Sequence, residues 1–209
     1  MLAIDFETYL INSKEPSPKP VCISWYDGKE TGLVVGFHNI MKFLEKALQE
    51  PLIVAHNMKF ELGVIYRWYP ELISKIDEGL ENDQFICTKI NEELLDATRS
   101  TKVTVDEEKS GKKKGYSLSE LVRVYFKEDI SGSKKGEDAW RLRYSELDEV
   151  PLEQWPQEAV DYAISDSIWA YKLAEVQLVG LAGRDITSSV SAEHYLTVMS
   201  NYGMLVDQS

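Results

Sequence analysis

The first residues of the chain alternate: Leu2, Ile4 and Phe6 fall on one parity, and Ala3, Asp5 and Glu7 on the other. That period of two predicts a strand with an apolar core face and a second, non-core face. A proline-rich connection (Pro16, Pro18, Pro20) leads to a second strand over 21–26, and beyond Asp27-Gly28 the run 31–36 reads as its hairpin partner. The period then lengthens. Ile40, Phe43, Leu44 and Leu48 make one stripe of a helix over about 39–49, which Pro51 ends. Residues 52–55 form a short apolar strand, and Asn57 stands where it can cap a helix running to about Tyr69, ahead of Pro70. A further strand at 85–88 leads into a helix over about 89–97.

Residues 99–115 lack apolar periodicity and are rich in Lys, Glu, Ser and Gly, which predicts an exposed excursion. Helix returns over 117–126, with Leu118, Leu121, Val122 and Tyr125 on one face, and 132–136 is another loop. The longest helical signal runs from about 156 to 178, with Val160, Ala163, Ile164, Ile168, Tyr171 and Leu178 near one face. A break at 180–183 precedes a last helix over 188–201. Early strands followed by strand–helix alternation predict an α/β fold: a mixed sheet with helices on its faces.

Composition narrows the class. At 209 residues, 44% of them apolar, the chain can bury one good core. No apolar run is long enough to cross a bilayer, and the N-terminus lacks a basic leader and cleavage site, so a cytoplasmic protein with no membrane partner is expected. Cys22 and Cys87 form no framework and read as buried free thiols. A net charge of −12 argues against gripping nucleic acid by bulk electrostatics. Between Lys109 and Arg143, however, ten Lys/Arg face five Asp/Glu. A basic segment on an acidic body fits a phosphate-contacting flap beside a metal site; a solvated Lys-rich loop is the alternative.

Three placements of acid carry the chemistry. Asp5 and Glu7 lie two apart on one strand, where acids are depleted, and offer oxygens close together for a hard cation such as Mg²⁺ or Mn²⁺. Glu61 falls one turn inside a helix that follows a strand end, a common place for sites in α/β folds. Asp166 shares a helical stripe with Ala159, Tyr162 and Trp169, where an acid is costly unless paired or metal-bound. Each has an ordinary alternative: a half-exposed strand, a surface helix acid, or a helix acid bonded to a neighbour.

Taken in order, Asp5-Phe6-Glu7-Thr8, Asn57-Met58-Lys59-Phe60-Glu61 and Tyr162-Ala163-Ile164-Ser165-Asp166 resemble the three motifs of the DEDD exonuclease superfamily. The likeness is to the tyrosine-subclass 3′→5′ exonuclease domains of family A, DNA polymerase I-like enzymes. It covers about 1–178, and it includes Trp140 and the stretch 157–162. The second motif ends in Glu61 where most of the superfamily has Asp, a variant found in phage-type polymerases. The position that would be His in the histidine subclass is Asp161.

The resemblance implies a ribonuclease H-like fold and two divalent cations, Mg²⁺ or Mn²⁺. Asp5 would bridge them, Glu7 and Asp166 would hold the one that activates water, and Glu61 would support the other. Tyr162 would orient the water. Thr8, His56, Asn57, Phe60, Trp140 and Arg141 become candidates for contacting a frayed 3′ end of DNA, with core packing or helix capping as their ordinary roles. The run 194–207 resembles the opening of a polymerase region, which divides the chain into an exonuclease domain over 1–180 and a polymerase-like helix over 181–209. A truncated or split polymerase is then expected, with a polymerase domain as partner in cis or trans. The readings kept beside it are an RNA-trimming exonuclease of the same superfamily and a silent module that binds single strands.

Overall fold

A computed structural model describes residues 1–99, 115–130, 139–182 and 187–202. Five strands form one mixed sheet in the order β3-β2-β1-β4-β5, with β1 Leu2–Thr8, β2 Pro20–Tyr26, β3 Thr31–Val35, β4 Ile53–Ala55 and β5 Phe85–Cys87. The first three pair antiparallel, and β1, β4 and β5 run parallel. Each expected strand is present, and the sheet is mixed, as expected.

Both faces of β1 are covered. On one, Leu2, Ile4 and Phe6 pack with residues of α1 (Phe37–Ala47), α2 (Met58–Trp68) and α3 (Ile73–Glu81). On the other, Ala3, Val54 and Ile86 meet Ala170 and Ala174 of α6 (Gln157–Gly180). The face expected to lie outside the core is therefore buried as well, because the longest helix crosses it.

The sequence stripe assigned to that helix is corrected too. Its buried side carries Ala159, Tyr162, Ala163, Ser167, Ala170 and Ala174, whereas Val160, Ile164, Ile168, Tyr171 and Leu178 are only partly buried. Leu173 and Gln177 are buried as well, and the small side chains among this set let the helix backbone approach the sheet closely.

Helix α3 was not expected. A single 3₁₀ turn, Pro70–Leu72, feeds it, and it buries Ile76, Gly79 and Leu80. A Cβ on Gly79 would stand 2.6 Å from the Phe85 ring, so α3 lies directly on the start of β5. After β5 come α4 (Thr88–Arg99) and α5 (Leu118–Phe126), the latter opened by a reciprocal Ser117–Glu120 capping box. The last helix, α7 (Thr187–Tyr202), packs on α2, α3 and β5. Much of the basic segment, residues 100–114 of the excursion expected over 99–115, and the loop at 132–136 fall outside the described residues, as does the tail from 203. No helix among the described residues is long and apolar enough to cross a membrane.

Candidate active site

Strand β1 delivers Asp5 and Glu7 toward its carboxyl end, opposite Ser24 and Cys22 of β2. Glu7 is 8% exposed. Glu61, in the first turn of α2, is 2% exposed, and its Oε2 accepts a hydrogen bond from the Phe6 backbone N–H at 3.0 Å. That bond ties the second-motif acid to the strand bearing the first motif. Helix α6 places Tyr162, which is buried, and Asp166 one turn apart on the side that covers the sheet.

These side chains lie within electrostatic reach of one another. Burial pushes the Glu61 carboxyl well above its ordinary value; Asp5 and Asp166 push it further, and the Phe6 N–H opposes them. Burial also raises the Tyr162 phenol, with Asp166, Glu7 and Asp5 adding and Arg141 pulling it down. The Cys22 thiol is raised by burial and then by Glu7 and Asp5. Four acids contributed by β1, α2 and α6, with Glu7 and Glu61 buried and Asp5 and Asp166 half-buried, thus share one electrostatic field with a tyrosine.

The other expected residues are placed differently. His56 is committed to the protein: Nδ1 pairs with Thr88 Oγ1 at 2.8 Å and Nε2 with the Tyr116 carbonyl at 3.0 Å. It joins β4 to α4 and α5 and has no ring nitrogen left for a nucleotide. Asn57 holds the N-cap position of α2, but its side chain makes no cap bond, and its Oδ1 is buried without a hydrogen-bond partner among the described residues. Phe60 packs against the main core. Thr8 donates to the Tyr9 carbonyl at 2.8 Å. Trp140 carries the Arg143 guanidinium over its ring at 4.7 Å, while Arg141 is exposed within electrostatic reach of Tyr162.

A family model described as a 3′-5′ exonuclease matches residues 1–176. The chain belongs to the 3′→5′ exonuclease family. The chain is similar in structure to Brucella melitensis NrnC, with a TM-score of 0.62 at 17% identity, over 100% of this chain and 90% of that one. Escherichia coli RNase D, described as an exoribonuclease involved in structured RNA processing, gives a TM-score of 0.58 at 13% identity, over 98% of this chain and 45% of that one. At such identities the likeness is one of fold. No curated protein matches.

Exonucleases of this family generally use divalent metal ions. Among the described residues, no three His, Cys, Asp or Glu side chains stand as a ready-made metal cage. Glu61 instead directs Oε2 to the Phe6 N–H, a natural resting place for one of several mutually repelling carboxylates. The donor set nonetheless fits the group: it is all oxygen, Glu7 and Glu61 are buried, and the Glu61 carboxyl is raised by burial and by the charge of Asp5 and Asp166, the condition a hard divalent cation relieves.

Sequence reasoning missed Tyr144. It is fully buried, its ring centroid lies 6.1 Å from that of Tyr162, and Glu7 and Asp5 both act on its phenol. It sits in a short 3₁₀ turn, Tyr144–Leu147, where no periodicity or motif marks it.

Proposed function

We propose that this exonuclease shortens DNA from a single-stranded or frayed 3′ end, editing for a family A polymerase, with two divalent cations (Mg²⁺ or Mn²⁺) held by Asp5, Glu7, Glu61 and Asp166. The observation that carries this reading is the shared field of those acids and Tyr162, contributed by three separate elements. When bound, the cations supply Lewis-acid activation of water and neutralise charge on the phosphate.

The chain's own residues do the rest. Asp5 and Glu7 are fixed by the ladder of β1, and Glu61 by its bond to Phe6, so the donors are held in place by backbone structure. Because burial and the surrounding acids raise its pKa, Tyr162 keeps its proton at working pH. Its hydroxyl therefore orients the attacking water and does not act as a base. Water forms the new P–O bond, the P–O3′ bond breaks, and a nucleoside 5′-monophosphate leaves a shortened strand ending in a 3′-hydroxyl.

DNA is favoured by the likeness of 194–207 to the opening of a polymerase region, which makes 1–180 the nuclease domain and 181–209 a junction toward a polymerase in cis or trans. The RNA reading has its own support in the fold likeness to RNase D. The test is digestion of 5′-labelled single-stranded DNA and RNA of one sequence, in Mg²⁺ and in Mn²⁺, with EDTA and Asp5→Ala controls. A DNA ladder shortening from the 3′ end, lost in both controls, is expected. Faster loss of RNA would move the assignment to RNA trimming, and intact strands that still bind would make this a silent module.

A further inference from the structure

The longest helix, which presents both Tyr162 and Asp166, begins without a side-chain cap. Pro156 occupies its N-cap, and no side chain among the described residues bonds its first free N–H groups from that position. The first N–H groups of such a start are left to water or to partners outside the helix, so its orientation is set by what packs against it.

Tyr144 is the group that meets this helix start. Its hydroxyl donates to the Ala159 carbonyl at 2.7 Å, in the first turn of α6 and one turn ahead of Tyr162. Its ring is fully buried at the middle of an aromatic cluster, with centroids 6.3 Å from Trp140, 6.1 Å from Trp155 and 6.1 Å from Tyr162. The segment bearing it is braced in turn: Arg143 pairs with Glu146 at 2.7 Å and covers Trp140, and the Trp155 indole donates to the Val150 carbonyl at 2.9 Å. The Ala159 carbonyl already serves the helix, so the Tyr144 bond uses its second lone pair and adds a contact that fixes the rotation of the first turn.

We infer that Tyr144 is a positioning residue for this exonuclease: by clamping Ala159 and packing against the Tyr162 ring, it sets the direction of the Tyr162 hydroxyl over the β1 carboxylates. Tyr144 has no route to substrate, being completely buried, and acts only through Tyr162 and the turn that carries it. The inference rests on the proposed role of Tyr162 and adds the device that aims it.

A double-mutant cycle of Tyr144→Phe and Tyr162→Phe tests it, read as kcat and KM on single-stranded DNA beside a thermal melt of each protein. Tyr144→Phe keeps the ring and removes only the hydroxyl. It should lower kcat about fivefold, the size of one lost hydrogen bond, with KM nearly unchanged. In the Tyr162→Phe background it should cost nothing more. Losses that multiply in the double variant, an unchanged kcat, or a rise confined to KM would overturn the inference. A second readout is independent of activity: with 3-fluorotyrosine at position 162, the ¹⁹F resonance should shift or broaden in Tyr144→Phe, and an identical spectrum would overturn the clamp. A wild-type protein that cuts neither DNA nor RNA would defeat the proposed function, and the ¹⁹F comparison would still decide whether Tyr144 fixes Tyr162.

Discussion

Glu61 concentrates the physics of the site in one side chain. Its folded-state pKa is raised, so the folded protein holds a proton that the unfolded chain releases above the ordinary carboxylate value. The linkage follows: the stability Glu61 contributes is complete below that ordinary value and is lost as pH rises through the folded one. Without cations, Glu61→Gln should therefore melt higher than wild type at pH 7–8, by about 2–4 °C for each kcal/mol relieved, and the gap should close below about pH 4.5. The amide oxygen can still accept from Phe6 N–H, so the fold is kept. Activity in Mg²⁺ should fall at least about tenfold. Melting curves at several pH values, with and without cation, check this; equal melting temperatures throughout would deny Glu61 a place in the shared field. The acids were legible in the sequence because an acid in an apolar strand or on an apolar stripe is chemically conspicuous. Tyr144 was not, since a buried aromatic in an irregular segment looks like any other core residue.

Elements hold these side chains in register, and two of them can be probed separately. Helix α6 lies close on the sheet through Ala170 and Ala174 against Ala3, Val54 and Ile86. Ala170→Leu has no space to enter and should cost about 1–3 kcal/mol, seen as a lower melting temperature. Because Asp166 is one turn away, activity should fall further than the loss of folded protein explains; activity per folded molecule equal to wild type would show that the helix yields locally. Helix α7 is held differently. His194 is fully buried, packs edge-on to Tyr66 at 4.8 Å, and has no hydrogen-bond partner for either ring nitrogen among the described residues. Burial lowers its pKa, against an opposing pull from Asp77. The stability it contributes is present above about pH 6.5 and is lost as pH falls through the folded value. His194→Phe should flatten the drop in melting temperature between about pH 7 and 5, and an unaltered slope would assign that drop to other groups. The strands and most helices were readable from period alone. The covered second face of β1, the small-residue stripe of α6 and the short α3 were not, because each is decided by which neighbour a face meets, and local pattern carries no information about neighbours.

At the scale of the whole molecule, the difficulty is charge. A protein of net charge −12 has to bring a polyanion to a cluster of carboxylates, and the proposed cations and the Lys/Arg-rich window between Lys109 and Arg143 are the candidates to offset the repulsion. If that window contacts the strand, each phosphate it neutralises releases counterions, and the logarithm of affinity falls with the logarithm of salt by about 0.7 per contact on single strands. Replacing Lys112, Lys113 and Lys114 together with Gln should then reduce the salt slope by up to about 2 and weaken binding uniformly across sequences, with the melting temperature unchanged. Measured on the Asp5→Ala protein, which the proposed role of Asp5 leaves unable to consume the probe, the titration separates binding from cutting. A slope equal to that of the parent would make the lysines a solvated loop and leave the cations as the means by which an acidic body holds its substrate. A slope reduced in step with the lost charges would divide the work, with the basic segment capturing the strand and the buried acids, with their cations, acting on its end.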